Sequence, residues 1–285
     1  MEKILKGKIV ADAIDEDLLK RTPALYERGI VPALAIVRVG ENPSDIAYEN
    51  GAVKKARKLG LQPEKYICPA DIAQEDLIQV IKAINQDEKI HGILLLQPLP
   101  KSIDADAVRN TLSPKKDLDC ISDASLARLF LGSGEGFAPC TAEACIEILK
   151  FNNIDIKGKK AVVIGRSMVI GKPVAMMLLK ENATITICHT RTEDRDLKDL
   201  CQGADIIIAA AGHAGTLTAD MVRPGQTIID VGINFDDEGK MLGDVDYEPV
   251  SGIVGSITPV PGGVGSVTTT LLMKHLVEAA EKTVE

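Results

Sequence analysis

Two kinds of segment alternate along the chain: short continuous apolar runs, and longer stretches whose apolar positions recur three and four residues apart. The first kind suits strands buried on both faces, and the second suits helices laid against a sheet. Ile9, Ala13, Leu18, Leu19 and Leu25 predict a helix over about 8–28, closed by Gly29. Ala33 to Gly40 follows as a strand, 43–59 as a helix ended by Gly60, 65–69 as a short strand and 74–85 as an amphipathic helix. Gly92 to Leu96 is a further buried strand, broken by Pro98 and Pro100. This βαβαβ order implies a parallel sheet with right-handed crossovers.

A second series begins at Lys160-Ala161-Val162-Val163-Ile164, which runs into Gly165 and a loop, with Pro173 where the first turn of a helix accepts it. Runs at 183–188, 205–212 and 226–234 repeat at βαβ spacing, each ending near Gly or a small polar residue. In open α/β sheets those carboxyl ends bind ligands. A helix N-terminus offers N–H groups and a positive dipole end, which suits a dinucleotide pyrophosphate. The loop departs from G-x-G-x-x-G, with Ser167 at the second position and Gly171 one residue late. Taken alone it could be a strand-to-helix turn of any α/β protein; the runs after it favour a dinucleotide site. The expected fold class is α/β, two α/β domains around a cleft, the second a Rossmann-like parallel-sheet domain.

The chain has 285 residues, 45% of them hydrophobic, and exceeds the usual size of one domain. Composition turns polar from Ser113, and Gly132-Ser133-Gly134-Glu135-Gly136 is a glycine-dense loop, so the boundary falls near Pro139. Thr141 is the expected cap of a helix over 142–151. Pro259 to Gly265 opens a last helix over about 266–282 that returns to the first domain. The expected division is 1–138 plus 266–285 for one domain and 139–265 for the other. A formal charge of −8, 3% aromatic residues and no Trp argue against a nucleic-acid surface. Six cysteines without a C-x-x-C pair, and four scattered histidines, give no metal or disulfide pattern. With no apolar core of signal-peptide length at the start and no membrane-span run, a soluble cytoplasmic protein is expected.

Several motifs together resemble one family. They are Gly165-Arg166-Ser167 with Gly171-Lys172-Pro173, Cys188 to Thr192, Asp230-Val231-Gly232-Ile233-Asn234, Gly243-Asp244-Val245-Asp246 and Thr258-Pro259-Val260-Pro261-Gly262-Gly263-Val264-Gly265. This set resembles the methylenetetrahydrofolate dehydrogenase/cyclohydrolase family over nearly the whole chain. The resemblance implies oxidation of methylenetetrahydrofolate with a nicotinamide cofactor, often followed by hydrolysis of the methenyl product, in a homodimer. It implies that Asp119 binds the folate, that Tyr48 packs on its ring system and that Gly265 and Thr268 line its site. Their structural alternatives are a solvated turn acid, a half-buried packing residue and the start of a helix. It also places Gly165, Arg166, Ser167, Gly171, Thr190 and Ile233 at the cofactor.

An NAD site places an acid at the tip of the second strand. Here the tip reads His189-Thr190-Arg191, with no acid before Glu193, and Arg166 offers a planar donor fork suited to phosphate. NADP is the expected cofactor, with NAD as the alternative. Three departures from the family cluster on one pocket: Ala52 stands at the family's lysine, Leu96 at its glutamine, and Asp119-Cys120-Ile121-Ser122 replaces Asp-Gly-Phe-His. Hydride transfer from a methylene flanked by two nitrogens needs no base, whereas hydrolysis needs protons moved. The expectation is a strong dehydrogenase with weak or absent cyclohydrolase; the alternative is a bifunctional enzyme using Lys54 or a water chain. Lys54 should point away, being about 200° round the helix from Ala52. A dinucleotide-binding regulatory or scaffold protein without catalysis is the reading from another class.

Overall fold

The structure, a computed structural model, describes residues 3–133 and 136–283. Gly134 and Glu135 of the glycine-dense loop lie outside the described residues. In chain order the elements are β1 (Lys3–Ile4), α1 (Gly7–Glu27), β2 (Ala33–Val39), α2 (Pro43–Lys58), β3 (Gln62–Cys68), α3 (Gln74–Gln86), β4 (Gly92–Leu95), α4 (Ala105–Arg109) and α5 (Asp123–Leu131). Then come α6 (Cys140–Phe151), β5 (Lys160–Ile164), α7 (Gly171–Lys180), β6 (Thr184–Cys188), α8 (Asp194–Gly203), β7 (Ile206–Ala209) and β8 (Thr227–Asp230). A short β9 (Asn234–Phe235) and β10 (Met241–Leu242), α9 (Tyr247–Ser251), β11 (Ser256–Ile257) and α10 (Gly265–Glu281) complete the chain. Among the described residues no helix is long and apolar enough to cross a membrane.

The chain divides into two compact units, one of residues 1–12 and 141–268, the other of 13–140 and 269–285. The expected boundaries differ at the N-terminus. Residues 1–12 group with the later sheet because β1 pairs parallel with β11, Lys3 opposite Ser256 and Ile4 opposite Ile257. Gly7 N–H then donates to Gly262 O, and a Cβ on Gly7 would lie 2.0 Å from Gly263 O. A two-residue strand carries no hydrophobic period, so nothing in the pattern announced it.

In the unit of residues 13–140 and 269–285, three parallel strands run in the order β3-β2-β4. All seven residues of β2 are buried, as its central place requires. β3 is the edge strand, and it begins at Gln62, earlier than the apolar run at 65 suggested, because Gln62 is exposed and Pro63 and Glu64 are only half-buried, so its first residues carry no apolar signal. Helix α2 is fixed to this sheet by charge. Glu49, 2% exposed, accepts from Arg38 Nε of β2 at 2.8 Å and from Lys65 Nζ of β3 at 2.6 Å. Burial opposes ionisation of Glu49, but the hydrogen bonds from Lys65 and Arg38 outweigh it and hold the carboxyl below its ordinary range. Removing one member would strand a buried charge, so this trio specifies where α2 lies, and with it Tyr48.

The stretch after Ser113 is more ordered than its polarity suggested. Ser122 caps α5 by accepting from Ser125 N–H, and it donates its hydroxyl to Asp117 at 2.7 Å. Helix α6 begins at Cys140, so Thr141 is inside the helix and is not its cap.

The other unit holds a six-stranded sheet in the order β1-β11-β8-β7-β5-β6, with every pairing parallel. After β5 the chain adds β6 on one side, then returns to add β7 on the other. The order therefore reverses at β5, and the carboxyl edge between β5 and β7 is the switch point where such sheets bind ligands.

Candidate active site

At that edge, Gly165 follows β5 with φ +137°, and a Cβ there would lie 2.1 Å from Ala210 O at the end of β7. Six residues on, a Cβ on Gly171 would lie 2.4 Å from Gly165 O. Both positions need glycine, which explains why the two survive although their spacing departs from the fingerprint. Ser167 accounts for the rest of the loop. Its Oγ accepts from Ile170 N–H at 3.2 Å and Gly171 N–H at 3.5 Å, and its carbonyl accepts from Lys172 N–H. The expectation that the first turn of α7 presents unpaired N–H groups is thus corrected: Ser167 already takes them, and Pro173 has none. The dipole end and the exposed Arg166 remain available to an anion.

Strand β6 lies beside β5 with Cys188 opposite Ile164, so the exposed Thr190 and Arg191 sit at the same edge as Arg166. Their turn is closed by His189 N–H donating to Thr192 Oγ1 at 3.0 Å and Arg191 N–H donating to His189 Nδ1 at 3.2 Å. Ile233, beyond β8, is 62% exposed at that edge too. The structure therefore brings Gly165, Arg166, Ser167, Gly171, Thr190 and Ile233 to one side of one sheet.

What holds that side is a lacing of two buried carboxylates. Asp230 Oδ1 accepts from Gly232 and Asp244 N–H, each at 2.9 Å, and its Oδ2 accepts from Val245 N–H at 3.1 Å. Asp244 Oδ2 accepts from Gly212 N–H at 2.8 Å, and its Oδ1 from Asn234 Nδ2 at 2.9 Å. The loops after β7, β8 and β10 are tied together by these bonds. Glycine is obligatory beside them: a Cβ on Gly243 would lie 1.8 Å from Asp230 Oδ2, and one on Gly232 would lie 2.2 Å from Asp244 Oδ1. Thr258 Oγ1 accepts from Asp230 N–H at 2.7 Å, joining the end of β11 to the same knot. The Asp-x-Gly-x-Asn and Gly-Asp-x-Asp motifs are thus one structural device. Burial is the chief cause of the shift that raises the Asp230 carboxyl to about 6; its backbone hydrogen bonds oppose that, and the Asp244 charge adds to it.

The folate-side candidates divide between the units. Gly265 and Thr268 belong with the dinucleotide sheet, where Thr268 Oγ1 donates to Gly265 O at 3.2 Å in the first turn of α10. Tyr48 and Asp119 belong to the other unit and are brought close enough for the Asp119 charge to act on the phenol. Tyr48 is 40% exposed as a residue, yet desolvation of its phenol, followed by the charges of Asp119 and Cys140, drives its ionisation above the ordinary range; a hydrogen bond with Thr269 opposes this. Asp119 Oδ1 accepts from Cys140 N–H at 3.0 Å. Its carboxyl is raised, by burial first, with the Cys140 bonds acting against the shift. The loop that presents Asp119 is anchored by its neighbour: the buried Asp117 accepts from Ile121 and Ser122 N–H, at 3.0 and 2.9 Å. Between them Cys120 has φ +54°, a conformation that the family's usual glycine adopts without cost.

Ala52 is wholly buried one turn along α2 from Tyr48, and Leu96 is 6% exposed. Lys54 is exposed, on the far side of the helix from Ala52, and does not join Tyr48 and Asp119. Residue reading missed Thr269, Cys140 and His275. Thr269 sits within a Thr268-Thr269-Thr270 run, where only helical register selects the hydroxyl that reaches Tyr48. Buried His275 lies with Nδ1 2.7 Å from Leu118 O and its ring stacked on Phe137 at 4.9 Å, behind the Asp119 loop.

Two family models match the chain: tetrahydrofolate dehydrogenase/cyclohydrolase, catalytic domain, over residues 5–119, and the NAD(P)-binding domain of the same family over residues 139–284. The chain is 49% identical over 279 residues to the bifunctional protein FolD of Alkaliphilus oremlandii, covering 98% of this chain and 97% of the relative. The crystal structure of the bifunctional methylenetetrahydrofolate dehydrogenase/cyclohydrolase FolD of Campylobacter jejuni superposes with a TM-score of 0.96 at 38% identity, covering 99% of this chain and 100% of that one. The Trypanosoma brucei methylenetetrahydrofolate dehydrogenase-cyclohydrolase, complexed with NADP and an inhibitor, gives 0.92 at 32% identity, covering 100% and 99%.

The Asp230 knot predicts a pH signature. Because its folded pKa is raised, Asp230 opposes folding wherever it is ionised: the penalty is absent below the unfolded value of 3.8 and complete above about 6. The stability of wild type minus that of Asp230→Asn should therefore fall by up to about 3 kcal/mol between pH 4 and 6.5 in urea titrations. Parallel curves for the two proteins would remove the titration from Asp230.

Proposed function

The chain belongs to the tetrahydrofolate dehydrogenase/cyclohydrolase family, and from that membership we infer its reaction: it is a methylenetetrahydrofolate dehydrogenase that uses NADP and yields methenyltetrahydrofolate. Matches to both family models, over residues 139–284 and 5–119, carry this reading, and the loop at Gly165 and Gly171 fits the cofactor, since glycine at both positions lets α7 start hard against the carboxyl edge of the sheet, where dinucleotides bind in such folds. When bound, NADP accepts the hydride. The substrate's own nitrogen lone pair expels that hydride, so the chain's task is positioning. We assign Asp119 to the pterin's paired donors, in charge-assisted bonds, with Tyr48 packed against the ring system. Arg166, with Thr190 beside it, faces the adenosine ribose phosphate, and Ser167 holds the loop in shape. A homodimer in the cytoplasm completes the proposal on the strength of the family resemblance.

The relatives' names join the dehydrogenase to a cyclohydrolase, so the expected weakness of hydrolysis finds no support in the comparisons, which lean slightly to the bifunctional alternative. Lys54 is poorly placed to serve it, being exposed on the opposite face of α2. A water chain near Tyr48 and Asp119 is then the route for protons.

Given methylenetetrahydrofolate, the purified protein should reduce NADP, followed as nicotinamide absorbance. Asp119→Ala should lower kcat/KM about 10- to 150-fold, the worth of a charge-assisted hydrogen bond, with NADP affinity within about twofold of wild type. Arg166→Ala should weaken NADP about tenfold and leave NAD nearly unchanged. An Asp119→Ala enzyme of wild-type activity would remove the pterin anchor.

Loss of methenyltetrahydrofolate, corrected for its spontaneous hydrolysis, tests the second step. The bifunctional reading expects an enzymatic rate that Lys54→Ala leaves unchanged. No rate above the spontaneous one would show that Ala52 and Leu96 have abolished hydrolysis, and a collapse in Lys54→Ala would make that lysine the amine.

A further inference from the structure

The unit of residues 13–140 and 269–285 contains a cavity of about 660 Å³ that includes neither Tyr48 nor Asp119. It lies beside the far end of α10 and is lined by His91, Lys116, Phe137 and Lys282 among others. We propose that this cavity is a second ligand site, for a small phosphate-bearing anion.

The chemistry of its wall points that way. His91 is 8% exposed, and its Nδ1 accepts from Ala33 N–H at 3.1 Å. In the neutral ring the proton is therefore on Nε2. That Nε2–H has no protein partner among the described residues, although the ring is more than nine-tenths buried, so its donor is turned to the cavity. Burial, then the Lys116 charge, lowers the affinity of His91 for a second proton, which keeps the ring a neutral donor. Lys116 places a positive charge in the same wall, its Nζ already held by Ile84 O and Asp87 O at 3.1 and 2.7 Å. Bound in this way, the ammonium is fixed in position; burial disfavours its charge, and the carboxylates of Asp87 and Glu88 offset that only in part. Lys282 stands 4.8 Å over the Phe137 ring, whose stacking on His275 fixes that ring in turn. Against these cations the lining supplies one carboxylate, the exposed Glu88. A ring donor open to the cavity with no protein acceptor, and two ammonium groups in the same wall, describe the complement of a multiply charged oxyanion. The volume is within the range of small-molecule sites and exceeds what a bare phosphate needs, so free and esterified phosphate both fit.

The chain has four histidines, at 91, 189, 213 and 275, which lets NMR of the rings report the site directly. Inorganic phosphate, ribose 5-phosphate and ribose would each be titrated at matched ionic strength. The proposal expects saturable shifts of the His91 ring resonances with one or both phosphates and none with ribose; the tighter of the two phosphates distinguishes the free anion from an ester. Any phosphate bound at the Gly165 loop would be reported separately by His189. Lys282 is exposed, so Lys282→Met should fold normally, and it should weaken the His91 titration at least about tenfold, the loss expected for one charge-assisted contact. No saturable shift at His91, an equal shift with ribose, or an unchanged titration in Lys282→Met would overturn the proposal.

Discussion

Three backbone segments come together where β5 ends, and the dinucleotide half of the protein depends on their contact. Gly165 presses against Ala210 O from one side, and Gly171 presses against Gly165 O from the other. No side chain fits between them. The contact lets α7 start close to the sheet, keeps β5 and β7 in register at their carboxyl ends and leaves a backbone floor on which a pyrophosphate can lie. Ser167 follows from this. With the glycines set by packing rather than by the usual spacing, its hydroxyl and carbonyl bond the N–H groups that would otherwise be orphaned at the start of the helix.

The two units solve the problem of buried charge differently, and each solution fits what it must hold. Where helix α2 has to keep one position on a sheet, Glu49 is met by Arg38 and Lys65, long side chains that reach across elements. Where three loops have to be tied at a sheet edge, Asp230 and Asp244 are met mainly by backbone N–H groups. Using backbone donors leaves the basic side chains at that edge, Arg166 and Arg191, exposed and able to meet a phosphate. The cost is a carboxylate whose environment resists ionisation, and the family's motif glycines are the spacing that such a knot requires.

Legibility in the sequence followed burial. Strands β2, β5, β7 and β8 were plain because each is buried along all or nearly all of its length and so reads as an unbroken apolar run. α4 and α5 span only five and nine residues, α8 is largely polar, and β1 is two residues long, so no sustained period declared them. The site shows the same division. Gly165 and Gly171 were readable because only glycine fits, and Tyr48 and Asp119 through the family resemblance. Asp117 and Asp119 lie two apart in one acidic stretch, and only the structure shows that the first holds the loop while the second is presented by it. Thr269 and His275 required knowing how α10 is turned, which an apolar helix with short polar interruptions does not disclose.

The glycine contact at the switch point is the claim on which the dinucleotide site stands, and NADP titration of Gly165→Ala tests it most directly. Followed by nicotinamide fluorescence, with circular dichroism confirming a folded chain, the variant should bind NADP roughly a hundredfold more weakly, a loss of about 2.7 kcal/mol. A folded Gly165→Ala protein with wild-type NADP affinity would contradict the account, because the cofactor could not then depend on that edge of the sheet.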